Sequence, residues 1–184
     1  MVSPYFPPRR RVGSLRPFKF AIHLKDFGWK PVVLTISPSG SSLSDKEKQL
    51  LEGITIIEVT PPFDRTEKKQ KNGSDKLKTG TAGGSRVSGW IDKNTPVDSW
   101  LYLFWLKYLV IQHQVKKADP DLIWSTGDPW SGHWLADKLA QDTSLPWVAD
   151  FRDPWTLTNV NLRRRSPFSA QIDCETERRV VEKS

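Results

Sequence analysis

Two short loops hold most of the residues able to do chemistry, and each contains Asp-Pro-Trp. One reads Ser125-Thr126-Gly127-Asp128-Pro129-Trp130-Ser131-Gly132-His133, the other Asp150-Phe151-Arg152-Asp153-Pro154-Trp155. Asp150 and Asp153 are paired carboxylates flanking Arg152, a cluster that can orient a hydroxyl or act as a base. A plainer reading has Asp153 capping the turn before Pro154 and Asp150 pairing with Arg152. His133 is a candidate for proton movement near neutral pH, although a helix histidine serves as often in packing or on the surface. Asp128 and Trp130 repeat the pattern of Asp153 and Trp155. The two tryptophans can offer ring faces to the apolar C–H faces of a sugar, or simply pack their loops.

A third loop, Phe6-Pro7-Pro8-Arg9-Arg10-Arg11-Val12-Gly13-Ser14-Leu15-Arg16, contributes Gly13 and Arg16. A glycine just before a helix start lets the backbone approach a phosphate that the helix N-terminus also favours. The alternative is an ordinary turn glycine. Guanidinium groups suit bidentate contact with phosphate or carboxylate, and Arg16 and Arg152 are the candidates that neighbouring elements hold in place. The triplets Arg9 to Arg11 and Arg163 to Arg165 read mostly as solvated loop residues. The G-x-G-x-x-G fingerprint is missing, which counts against NAD or FAD.

The elements that must position these loops alternate along the chain. Val2 to Phe6 reads as the end of a strand. Ser14 is placed to cap a helix carrying Leu15, Phe18, Ala21 and Ile22, with Pro17 tolerated in its first turn. Strands follow at Pro31 to Ile36 and Ile54 to Val59, rich in β-branched residues. Asp98 can cap a long helix from Ser99 to about Lys117. A strand at Asp121 to Ser125, a helix from Pro129 to about Gln141, a strand at Pro146 to Ala149 and a helix opened by Ser166 or Pro167 complete the pattern. Such alternation predicts an α/β domain: a doubly wound, mostly parallel Rossmann-like sheet with helices on both faces. In such a sheet ligands bind beyond the carboxyl ends of the strands, where all three loops lie.

Composition sets the outer bounds. The 184 residues suffice for one domain with a sizeable core. Net charge is +7, compatible with nucleic acid, an anionic membrane surface or a phosphorylated substrate. Between Asp64 and Gly89 stand seven basic residues and almost nothing apolar, so a mobile basic insertion is expected across 64–97. No aromatic residue interrupts its cations to stack on bases, which favours a solvated loop over a nucleic-acid arm, and no specific nucleic-acid partner is expected. The single Cys174 excludes an internal disulfide, and three scattered histidines speak against a zinc site. Trp100 to Ile111 holds eleven apolar residues in twelve, short of the roughly 20 needed to span a bilayer. That helix is expected to be buried or interfacial, in a cytoplasmic protein with at most peripheral contact at the inner membrane face.

Phe6-Pro7-Pro8, Gly13, Arg16 and Phe27-Gly28-Trp29-Lys30-Pro31-Val32-Val33-Leu34-Thr35 together resemble the opening of bacterial glycosyltransferase family 4 proteins, which have the GT-B fold. So do Pro120 to Thr126 and the run Pro146 to Trp155. The order and spacing of these motifs carry the likeness, which covers the chain outside 64–97. It implies transfer of a sugar from a nucleotide sugar to an acceptor, lipid-linked or a polysaccharide precursor, usually with retention and without a metal. The nucleotide sugar is then co-substrate and no cofactor is needed. It also implies that the first domain holds the acceptor, while a second, donor-binding domain carries a Glu-x7-Glu motif absent here. Gly13 matches the first-loop glycine near the donor phosphates. Asp150 to Asp153 stand where many members place a histidine, a departure that blocks direct transfer of that histidine's role.

Glu175 to Lys183 is still helical in composition with no stop signal, so an incomplete domain, inactive alone and lacking its C-terminal partner, is expected. Two other classes fit less of the sequence: a nucleotide-sugar epimerase-like GT-B enzyme, and a non-catalytic basic module for a membrane or nucleic-acid surface.

Overall fold

The computed structural model describes residues 1–9, 11–37, 42–60, 90, 93–98, 100–157 and 165–184. Of the mobile basic insertion expected across 64–97, residues 64–89 lie outside them; residues 90 and 93–97 are described, and Thr95 and Val97 are buried, so the insertion does not extend to 97. Among the described residues the α-helices and strands named here follow in the order α1 (Leu15–Leu24), β1 (Val32–Ile36), α2 (Asp45–Leu50), β2 (Thr55–Val59), α3 (Leu101–Ala118), β3 (Ile123–Thr126), α4 (Ser131–Thr143), β4 (Trp147–Asp150) and α5 (Pro167–Lys183). The chain is therefore mixed α/β.

β1 and β2 pair in parallel, with Val32 opposite Thr55 and Ile36 opposite Val59. β3 and β4 form a second parallel pair, from Ile123 opposite Trp147 to Thr126 opposite Asp150. The N-terminal segment lies between the pairs. Val2 makes isolated parallel bridges to both Leu34 and Ser125; its N–H donates to the Trp124 carbonyl at 2.7 Å, and the Ser3 N–H donates to Leu34 at 2.9 Å. The strand expected over Val2 to Phe6 is thus reduced to these bridges. Two prolines at positions 7 and 8 follow at once and have no N–H with which to continue a ladder.

Strand side chains alternate between faces, and the core divides accordingly. Val33 joins Phe6, Phe18, Ala21 and Leu51 beside α1 and α2. Leu34 and Ile36 point the other way, into a larger cluster with Phe104, Ile111, Leu135, Leu139 and Val180 from α3, α4 and α5.

Helix starts show which local rules hold. Ser166 caps α5 by accepting from the Ser169 N–H, with Pro167 in the first turn. Ser14 does not cap α1: a 3-10 turn over Val12–Ser14 precedes the helix, and the Ser14 hydroxyl donates to the Arg11 carbonyl at 2.8 Å. α2 is an element beyond those expected from the alternation, and Ser44 and Glu47 form a reciprocal capping box at its start. The 3-10 turn that ends the α1 segment is closed by Gly28 at φ +81°, a left-handed position that glycine adopts without penalty.

Candidate functional site

β3 and β4 are adjacent and parallel, so the two Asp-Pro-Trp loops leave the sheet side by side. Arg152 ties them together. Its Nε donates to the Gly127 carbonyl and its Nη2 donates to the Asp128 carbonyl at 2.8 Å. With the guanidinium held this way, its flat end lies against the loop before α1. A Cβ on Gly13 would stand 2.8 Å from Nη1 and 2.9 Å from Nη2. Gly13 and Arg152, 139 positions apart by number, are in van der Waals contact only because Gly13 has no side chain.

Next to this contact, Arg16 Nη2 donates to Asp150 Oδ1 at 2.6 Å. The second Asp150 oxygen accepts from the Thr126 hydroxyl at 3.2 Å. The Asp150 carboxylate is only 12% exposed and the Arg16 side chain 58%, so the pair sits at the wall of the site with its cation outward. Asp128 on the first Asp-Pro-Trp loop and Asp153 on the second are both exposed. The Asp128 carboxyl is held above its usual range, first by desolvation and further by Asp153; Arg152 and Arg11 pull it back down. Gly13, Arg16, Asp128, Asp150 and Arg152 therefore converge on one rim, with the charge of Asp153 beside it.

Three other candidates do not line that rim. His133 is fully buried beneath the loop. Its Nδ1 lies 2.8 Å from the Ser125 hydroxyl, which in turn accepts from Trp147 Nε1 at 2.8 Å. Its Nε2 has no hydrogen-bond partner among the described residues and is aimed at Gly127, 2.9 Å from where a Cβ would stand. Burial first, and the Arg152 charge second, lower its pKa to about 4. The imidazole therefore sits uncharged beneath the loop rather than on the rim. Trp130 and Trp155 are 7% and 1% exposed, stacked on each other with centroids 5.2 Å apart and planes 6° from parallel. Phe151 stacks on His133 at 4.7 Å. These four rings form a floor under the loops rather than a platform for a sugar, because ring-on-ring packing has already taken the faces a ligand would need.

The arrangement can bind an anion next to a hydroxyl-orienting carboxylate. Arg152 is preorganised by two carbonyl contacts, and Arg16 is half out in solvent. Asp150, already charge-paired, can accept from a ligand hydroxyl without losing Arg16.

Two residues at this site were missed in the sequence. Thr126, which donates to Asp150, is the last residue of β3, a position that could have been singled out. Gly127 has no distinguishing local signature within its loop, yet its missing side chain is what admits Trp130 and His133 beneath it. A small apolar cavity between Met1, Val32, Ile57, Val115, Leu122 and Leu139 lies toward the opposite ends of the strands and has no part in this chemistry. Among the described residues no group of His, Cys, Asp and Glu side chains is arranged to hold a metal ion. Comparison with protein-family models, curated proteins and solved structures finds no match for this chain.

Proposed function

We propose that this chain is the acceptor-side domain of a retaining glycosyltransferase of GT-B type, working on a nucleotide sugar and a sugar or lipid-linked acceptor. The parallel bridges at Val2 support reading the two strand pairs as parts of one doubly wound Rossmann-like sheet, with the N-terminal segment as its central strand. The observation that carries the functional reading is the seating of the Arg152 guanidinium on the Gly13 backbone beside the Arg16–Asp150 pair. In this reading Arg152 and Arg16 offset the phosphate charge of the donor. Gly13 admits the phosphates close to the main chain. Asp150, or Asp153 on the second Asp-Pro-Trp loop, orients the acceptor hydroxyl for attack. His133, Trp130 and Trp155 hold the loops from below.

Calorimetric titration of the chain with a panel of nucleotide sugars and sugar phosphates tests this directly. Binding that falls at least about tenfold in both Arg152→Ala and Arg16→Ala, as expected for loss of one charge-assisted contact, supports the site. No binding of any phosphorylated sugar, or binding untouched by either replacement, overturns it.

A further inference from the structure

We propose that the outward face of α3 docks the protein on an anionic lipid surface, an inference independent of the sugar-transfer reading. Tyr102, Trp105, Leu106, Leu109 and Val110 are 53, 65, 64, 78 and 56% exposed. Their three- and four-residue spacing gathers them into one stripe along the first three turns. Leu103, Phe104, Ile111 and Val115 of the same helix are buried in the core, so its rotation is fixed and the stripe cannot turn inward. Contiguous apolar strips of this kind mark a surface that meets another phase or partner.

The charge on the helix selects the partner. His113, Lys116 and Lys117 continue the same face toward its C-terminus, all exposed, and exposed Lys107 borders it. None of the 18 residues of α3 is acidic. The far edge is closed by Tyr108 and Gln112, which both donate to Asp142, at 2.7 and 2.9 Å. A second copy of the chain would bring these cations against a facing helix with no carboxylate to receive them. A bilayer with acidic headgroups satisfies both halves of the face: apolar rings and Leu side chains enter the headgroup–acyl boundary, and lysine stems reach back to phosphate. The net charge of +7 adds long-range attraction. Among the described residues no helix is long and apolar enough to cross a membrane, so α3 lies in the plane of the interface.

The test is co-sedimentation with vesicles of equal parts phosphatidylglycerol and phosphatidylcholine, set against vesicles of phosphatidylcholine alone. A solvatochromic label on Leu109→Cys in a Cys174→Ser background reports insertion. The expected result is binding to the anionic vesicles that weakens with salt, together with a blue shift of the label. Lys116→Glu with Lys117→Glu should lose about tenfold or more in affinity, and Leu106→Asp with Leu109→Asp should fall to background. Because all four replaced side chains are exposed, circular dichroism and melting of both variants should match the parent. Several results would overturn the proposal: no binding to anionic vesicles at low salt, equal binding to neutral ones, or binding retained by the double aspartate variant. So would a dimer by sedimentation that the double aspartate variant alone dissolves, which would assign the stripe to a second copy.

Discussion

A methyl group added at Gly127 would lie 2.4 Å from two ring carbons of Trp130 and 2.9 Å from His133 Nε2; added at Gly13 it would meet only the tip of Arg152. The two glycines therefore fail differently. Trp130 is locked in a stack with Trp155 and cannot yield, so Gly127→Ala is expected to cost about 1–3 kcal/mol of stability by overpacking, measured by urea unfolding. Arg152 can swing away, so Gly13→Ala should leave stability within about 0.5 kcal/mol, the scale of a surface change, while weakening phosphorylated-sugar binding about as much as Arg152→Ala does. Equal stability losses in the two variants would contradict this. His133 supplies a second residue-scale expectation. With its folded pKa lowered to about 4 from an ordinary 6.5, the unfolded chain takes up a proton between those values and the folded chain does not. Stability contributed by neutral His133 is therefore full above pH 6.5 and is lost as pH falls toward 4, by roughly 3 kcal/mol in total. The difference between parent and His133→Gln isolates the effect, since the carboxylates titrate in both. A constant difference from pH 7 to pH 4 would place the imidazole in contact with solvent.

At the scale of elements, Asp98 joins two helix starts. One carboxylate oxygen accepts from the Trp100 N–H at 2.9 Å just ahead of α3, the other from the Ser131 N–H at 2.8 Å at the start of α4. Burial raises its pKa against those bonds. Asp98→Ala strands both N–H groups and is expected to cost about 1–3 kcal/mol; Asp98→Asn, which keeps one acceptor oxygen, should cost less, and melting of the two variants decides it. The expected cap is displaced: the helix begins at Leu101 behind Trp100, which has no side-chain cap, and Asp98 instead holds the Trp100 N–H in the turn ahead of it. The bond to Ser131 was not legible in the sequence, because it depends on α3 and α4 packing side by side. The division between local signals and packing runs through the molecule. β-branched runs and helical periodicity located β1 through β4 and the long helices to within two or three residues. Ser44-x-x-Glu47 is a local capping signal that the sequence carries for α2. At the site, placing Gly13, Arg16, Asp150 and Arg152 at strand ends followed from the alternation of elements. The depth of His133, Trp130 and Trp155 did not, since a loop tryptophan after proline has the same local signature whether it faces solvent or the core.

At the scale of the whole molecule, α5 is the element that ties the second Asp-Pro-Trp loop to the core. Val180 is fully buried in the larger core cluster. Arg179 Nε lies 2.8 Å from the buried Asp137 carboxylate of α4. Asp173 accepts from the Val97 N–H and pairs with Arg165 at 3.4 Å. Glu177 accepts from the Trp155 and Thr156 N–H groups at 2.9 and 3.0 Å, fixing the turn that follows Arg152 and Asp153. One helix thus holds α4, the segment before α3 and the second Asp-Pro-Trp loop together. Removing it would take away the cation of the Asp137 carboxylate and uncover the apolar faces around Val180. Against a total stability of about 5–15 kcal/mol for a domain, that loss is decisive. A chain ending at Ser166 is therefore expected to lose its cooperative thermal transition and the near-ultraviolet dichroism of the Trp130–Trp155 stack. Val180→Ala, losing only methyl groups, should cost about 2 kcal/mol and stay cooperative. If the shortened chain still melts in one transition within a few degrees of the parent, α5 is an appendage, and the rim must be held by the strand pairing of β3 and β4 alone.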